Sequence, residues 1–337
     1  MSENSELRRH AQPFQVPLIG KSVSQVATSF GGFLATCAGM YVLNETSFWL
    51  ALVLAPLAAG FLVRIFIIQH DCGHGSFFRG RRANDALGLA CSLLTLTPYA
   101  SWRRQHAGHH RVWNDLDRRE SGADIYSACL TAAEYRDMSP SRRWWYRTTR
   151  HPFIANILLP PLVFLCLYRV PFDAPAAWRR ERRAVYTTDI ALAAMFGGLG
   201  LLLGFDAVAT VHLPVMVLAS IFGVWLFAIQ HRGEDVLWAR HDDWDAASAS
   251  LKGSTFLRLP AVLQWFTGNI GYHHVHHLNP RIPNYRLQEC HEALPPLRKV
   301  PGMSLRDGLR AVRFILWDED LGRMVTVRQV DMRGTGA

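Results

Sequence analysis

The chain has 337 residues, 50% of them hydrophobic, yet its mean hydropathy is only +0.05, so long apolar blocks must alternate with strongly charged ones, as in a multi-span membrane protein. The net charge of +9 falls in segments flanking those blocks, without the interleaved aromatics of a nucleic-acid stripe. It reads as positive-inside arginine and affinity for anionic head groups, and nucleic acid is excluded as a partner.

Residues 1–24 are polar and basic (Arg8, Arg9, Lys21), and no charged, apolar, then small-residue order begins at Met1, so no signal peptide is expected. An apolar block from Val26 to Leu43, a polar loop at Asn44–Ser47 and a second block from Phe48 to Ile68 predict a membrane hairpin. Arg64, near the inner end of the second block, is expected to snorkel or to meet an acid. The run Ala86–Tyr99 is short and is followed by Arg103 and Arg104; a crossing would put His106 on the side opposite His70, so a re-entrant or interfacial segment, which keeps the two together, is expected. Residues 111–152 are charged and aromatic and read as soluble. Phe153–Val170 is apolar with Pro160 and Pro161 at its centre, and the basic cluster Trp178–Arg183 follows; this run too is expected to enter and leave by one face, with a kinked true span as the alternative. Ile190–Ala209 and Leu213–Ile229 predict a second hairpin, with its turn at Thr210–Pro214 and His212 on that outer turn. From Arg232 onward the chain reads as soluble.

The predicted fold is therefore an all-α integral membrane protein. It has two transmembrane hairpins, about four crossing helices, re-entrant or interfacial helices, and a cytoplasmic cap. The expected division is a cytoplasmic N-terminal segment (1–24), a membrane domain (25–300) and a cytoplasmic tail (301–337). Cys37, Cys72, Cys91, Cys129, Cys166 and Cys290 are scattered without a CxxC pair, so free, mostly buried thiols are expected, with neither disulfides nor a zinc ribbon.

The chemistry lies in the histidines. His70 and His74 stand at i and i+4; His106, His109 and His110 stand at i, i+3 and i+4; His273, His276 and His277 repeat that spacing. On helices each set shares one face, and imidazole is the commonest side-chain metal ligand. Each hairpin returns on a Gln-His pair, Gln69-His70 and Gln230-His231, which suggests that His231 joins the set. Counting crossings places all of them on the cytoplasmic face. Nine imidazoles exceed what one tetrahedral zinc uses, so two metals with four or five ligands each are implied. Imidazole suits iron, zinc, copper and nickel alike. A site at the mouth of membrane hairpins can meet the methylenes of an acyl chain, and an unactivated C–H bond calls for a redox metal and activated oxygen; two iron ions are the economical reading.

Around these residues, Asp71, Asp117, Glu234 and Asp235 are candidates to orient ligands or, equally, to serve as helix caps or ion-pair members, and Asn269 is a candidate for a water-mediated metal contact. His274 is expected to hydrogen-bond beside the ligands; His10, His151, His241 and His291 read as surface residues. Trp102, Trp113, Trp144, Trp145, Trp265 and Tyr272 read as an interfacial belt or as lining for an acyl chain.

The order His-x3-His, His-x2-His-His, His-x2-His-His, together with the run WFTGNIGYHHVHHLNPRIPNYRL (265–287), resembles the integral-membrane fatty acid desaturases, in particular their acyl-lipid, delta-12/omega-6-like bacterial branch. The resemblance covers about residues 25–300. It implies a non-haem di-iron centre held by the eight box histidines, with His231 as the additional ligand. It also implies O2-dependent insertion of a cis double bond into a membrane-lipid acyl chain, in a bacterial inner membrane. Electrons would come from a ferredoxin or cytochrome b5-type protein; no fused His-Pro-Gly-Gly haem motif occurs, so a separate donor is expected. Competing readings are a di-iron hydroxylase or ketolase of acyl, alkane or carotenoid substrates, a zinc-dependent membrane hydrolase, and a membrane metal transporter or sensor.

Overall fold

The structure, a computed structural model, describes residues 3–119 and 128–334; part of the charged 111–152 stretch, residues 120–127, lies outside them. After a short N-terminal helix α1 (Glu3–His10), α2 (Ile19–Thr46) and α3 (Phe48–His74) form the first hairpin. Its only break is Ser47, whose extended φ of −164° reverses the chain while its N–H still donates to the Leu43 carbonyl. The Asn44–Ser47 loop of the sequence reading is thus almost entirely helix. Ala51, Ala55, Ala58 and Ala59 are buried at helical spacing along α3. Small residues on one face let another membrane helix approach closely, and α2 packs there. Gly75, at φ +69°, caps α3 by donating to the Asp71 and Cys72 carbonyls and stops the helix immediately after His74.

α4 (Arg81–Thr95) ends on Leu96 in the left-handed region, and α5 (Tyr99–Val112) starts after Pro98 and carries the second histidine set. α4 is too short and too charged to rank with the candidate spans. The expected single segment at 86–99 is therefore a helix, a turn and the start of another helix. Next come α6 (Ala132–Asp137), α7 (Pro140–Thr149), a π-turn at Ile154–Leu158 and α8 (Leu159–Leu165). Pro160 lies in the first turn of α8, where a missing N–H costs nothing. The chain bends earlier, by 47° between α7 and the following run, at the break 150–153 that contains Pro152.

α9 (Arg179–Leu203) and α10 (Phe205–Ile229) form the second hairpin. Its turn is not at Thr210–Pro214 but at Gly204, which adopts φ +89°. Pro214 sits inside α10, as membrane helices tolerate when neighbours satisfy the freed carbonyl. His212 is consequently within the span, bonded to the Tyr41 hydroxyl at 3.0 Å, and not on an outer turn. Among the described residues Arg64 meets no acid: it donates to the Trp265 carbonyl, with its guanidinium carbon 3.9 Å from the centre of that indole.

Among the described residues, four helices (α2, α3, α9, α10) are long and apolar enough to cross a membrane, and the bent run 140–169 is a broken span or re-entrant loop. Leu201 and Leu202 are 82% and 81% exposed beside the α9–α10 turn, a position that suits hydrocarbon and not water. The rest of the chain builds the cap: α11 (Ala246–Lys252), α12 (Ala261–Phe266), α13 (His273–Leu278), α14 (Leu287–Ala293), α15 (Pro295–Arg298), α16 (Leu305–Ala311) and α17 (Val327–Gly334). Strands β1 (Leu130–Thr131), β4 (Leu316–Asp318) and β5 (Arg323–Val325) make one small sheet, and β2 (Phe256–Leu257) pairs in parallel with β3 (Gly302–Met303). Residues after 301 thus pair with strands from earlier in the chain. Cys166 is exposed and the other cysteines are buried free thiols.

Candidate metal centre

The third histidine set lies on a helix only six residues long, so its placement comes from the turn before it. Gly268 and Asn269 both take positive φ, +53° and +57°. At Gly271 an added Cβ would lie 2.6 Å from the Leu257 carbonyl oxygen, a backbone atom that cannot give way. Leu257 N–H donates to the Gly271 carbonyl at 2.8 Å, which fixes the start of α13 against β2. The glycines of the GNIGY run are thus steric requirements of the site's scaffold.

The second set is placed by α5, which Arg104 ties to α9 through Glu181 at 3.0 Å and through the face of Trp178. The first set ends α3 and His231 follows α10. All nine sequence-selected histidines meet on one face of the hairpins, in two groups. One contains His70, His74, His106, His110 and His276; the other contains His109, His231, His273 and His277. Within each group the potential ligand atoms lie within 4.8 Å of one another. Sequence spacing did not foretell the sorting. The second set sends His109 to one group and His106 and His110 to the other, and the third sends His276 away from His273 and His277. The two groups adjoin, with the His110 and His277 rings stacked 4.3 Å apart.

Their donor atoms are arranged as ligands to common ions would be. Nε2–Nε2 separations are 3.1 Å for His106–His110, 3.0 Å for His110–His276, 3.1 Å for His109–His231 and 3.0 Å for His231–His273. Two nitrogens each about 2.1 Å from one metal and at right angles would be about 3.0 Å apart. Nε2 of His74 and both ring nitrogens of His277 are buried without a hydrogen-bond partner among the described residues. That is costly for a polar atom unless a further group completes it. Burial, then the neighbouring rings, pushes His106, His110, His273, His276 and His277 well below the ordinary imidazole range, which keeps them in the neutral, ligating form. The residues therefore fit a pair of metal ions.

The supporting contacts are only partly those expected. Asp71 Oδ1 accepts from His70 Nδ1 at 3.1 Å, while its Oδ2 accepts from the backbone N–H and the side-chain amide of Asn284 at 2.6 and 2.8 Å. Asn284 accepts in turn from Gln25 of α2. Nothing local in the sequence announces this link between the first set and the RIPNY run, which lie 213 residues apart. His231 Nδ1 donates to the Gly253 carbonyl at 3.3 Å, turning Nε2 toward the group. Trp102 stacks on His106 with ring centres 4.8 Å apart, and Trp113 packs on His277.

The remaining candidates take other roles. Asp117 binds Arg240 and the His241 N–H, and Glu234 binds Arg323; neither orients a histidine of the groups. Asn269 donates to the Asn284 carbonyl and so serves the turn. His291, read as a surface residue, is buried and pairs with His274 at 3.0 Å; burial and that neighbour push His274 down to about 3. His241 is paired with Asp115 at 2.8 Å. Trp144 and Trp145 are exposed, in keeping with an interfacial belt.

Below the histidines an apolar cavity of about 160 Å³ opens between α3, α5, α8 and α10. His70, His106, His109 and His273 form its head, and Leu62, Phe66, Phe164 and Phe227 are among its walls. Two metal-competent histidine groups therefore look down an apolar slot, an arrangement suited to redox chemistry on a hydrocarbon chain.

The fatty acid desaturase family model matches residues 47–307. A "Fatty acid desaturase" of Bacillus subtilis is 40% identical over 328 residues, covering 97% of this chain and 92% of that protein. The "sn-1 acyl-lipid omega-3 desaturase (ferredoxin)" of Synechocystis sp. is 29% identical over 69% of this chain and 64% of its own length. The "Acyl-lipid omega-3 desaturase (cytochrome b5), endoplasmic reticulum" of Arabidopsis thaliana is 29% identical over 68% of this chain and 59% of its own. With four candidate spans, two convergent histidine groups and a family match over most of its length, the chain belongs to the fatty acid desaturase family.

Proposed function

We propose that His70, His74, His106, His110 and His276 hold one iron ion and His109, His231, His273 and His277 a second, and that this chain desaturates the acyl chains of membrane lipids with O2. One observation carries the reading: both histidine groups converge at the head of an apolar slot that runs down between the hairpins. When bound, the iron pair supplies the redox chemistry that an unactivated C–H bond requires.

The chain's own residues do the positioning. Leu62, Phe66 and Phe164 hold an extended acyl chain by burial and exclude water from it. Asp71 keeps the proton of His70 on Nδ1 and leaves Nε2 to face the group. For each double bond, one hydrogen leaves each of two adjacent carbons. Those two hydrogens, with two protons and two electrons from outside, reduce one O2 to two waters.

The electrons come from a separate ferredoxin- or cytochrome b5-type protein; relatives named for each donor support that class. The histidine face is cytoplasmic, as the arginine-rich start of α9 supports, and the membrane is a bacterial inner membrane. The sequence resemblance favours a delta-12/omega-6-like position, whereas the relatives above that carry a positional name are named omega-3.

The test is lipid profiling of a host lacking polyunsaturates that expresses the chain, beside a His276→Ala variant, with double bonds located by mass spectrometry. A new unsaturated species that the variant lacks is expected. A hydroxylated lipid in its place, or purified protein without iron, would overturn the reading. Membranes supplied in turn with reduced ferredoxin and reduced cytochrome b5 then identify the donor.

A further inference from the structure

A second cavity, of about 300 Å³, lies among α2, α3, α4, α9 and α10, and its walls include Phe33, Cys37, Leu94 and Phe196. It shares two wall residues, Leu62 and Met216, with the cavity under the histidines. Leu94 faces the second cavity and the adjoining Thr95 the first, so the end of α4 straddles the same partition. Leu62 is eight residues before His70 on α3, about 12 Å along the helix, so the partition stands well below the histidines. At the other side of the second cavity are Tyr41 and His212, joined at 3.0 Å across α2 and α10. An ionisable side chain within a span is costly and marks a place with a task.

We propose that the two cavities are one acyl tunnel, in which Leu62 and Met216 form the gate and the Tyr41–His212 pair forms the end wall. The inference rests on the desaturase reading of the histidine site and adds what sets the length of chain accepted. An acyl chain short enough to end at the gate fills only the first cavity. A longer one passes between Leu62 and Met216 and buries its methyl end in the second. Met216 suits a gate, because its unbranched thioether can swing without leaving a fixed gap. The pair at the end wall satisfies each partner's polar atom while closing the space, and it ties α2 to α10. The occupant is the distal acyl chain and not a bilayer lipid, because the second cavity shares the Leu62 and Met216 walls with the one headed by the histidines.

The experiment supplies palmitate and stearate together to cells expressing the protein and reads the ratio of unsaturated stearate product to unsaturated palmitate product. In Met216→Trp, which fills the gate, the ratio should fall about tenfold, the scale on which pockets discriminate methylenes. In Met216→Ala, which only removes atoms, it should rise. Leu62→Phe should move it in the same direction as Met216→Trp. An inactive Met216→Ala, or an unmoved ratio in both Met216→Ala and Leu62→Phe, overturns the proposal while wild-type product upholds the desaturase reading. Absence of any unsaturated product from the wild type overturns that reading and the tunnel with it. If Met216→Trp makes no product at all, the other two variants decide.

Discussion

Asp71 shows how one residue can serve two distant parts of the site. One carboxylate oxygen orients His70 and the other holds Asn284, so the last turn of α3 and the RIPNY run are locked together through a single buried side chain. An amide at this position can accept through one oxygen only, and its NH2 would face one of the present donors. Asp71→Asn is therefore expected to weaken metal binding by about 10–100-fold, the usual cost of removing a group that orients a ligand. Metal content of the purified variant, titrated against a competing chelator, measures this. His276→Ala removes a donor from one group only. It should abolish product while leaving the other group able to hold its ion, so elemental analysis should find about half the wild-type metal.

At the level of elements, the decisive pieces are short. The six-residue α13 carries three of the nine histidines, yet a helix of this length has no stability of its own. The GNIGY turn and the strand β2 position it. Gly271→Ala would push a methyl group into the Leu257 carbonyl, and overpacking of this kind costs about 1–3 kcal/mol. The expected result is a lower thermal midpoint together with reduced metal content, since both histidine groups draw on α13. Gly75→Ala meets nothing within 4 Å, although it strains a positive φ at the end of α3. It should cost stability with less effect on metal, and the pair of variants separates a scaffold effect from simple loss of a glycine.

For the molecule as a whole, the two hairpins carry both sets of consequences. Their turns, Ser47 and Gly204, lie at the membrane face away from the histidines, so the proposed orientation puts both outside the cell. In a Cys166→Ser background, an impermeant maleimide applied to intact cells should label Ser47→Cys and Phe205→Cys and spare Arg111→Cys; the reverse pattern would invert the orientation. The histidine groups also join α3, α5, α10 and α13 at one point. Removing metal from both should therefore loosen the whole cap. An ion present at a hundred times its Kd contributes about 2.7 kcal/mol, and chelation of the purified protein should lower its thermal midpoint accordingly.

Much of this was legible in the chain. Hydrophobic blocks of spanning length predicted two hairpins, because a bilayer imposes element length directly on sequence. Histidines at i, i+3 and i+4 marked the metal-competent residues, and the Gln-His returns of both hairpins pointed to His231. The errors arose where local signals compete. Pro214 looked like the turn because proline breaks helices in water, but within a span the helix continues and Gly204, with its positive φ, reverses the chain. His291 looked exposed because nothing local reveals that His274 would reach it. Periodicity names the face of a helix on which a side chain lies, so the sequence alone determined the hairpins and which histidines gather into metal-competent groups. Only the tertiary structure decided which histidines share a group, that Asp71 meets Asn284, and that Leu62 and Met216 stand between two cavities. Those are relations between segments far apart in the chain, set by how the helices pack.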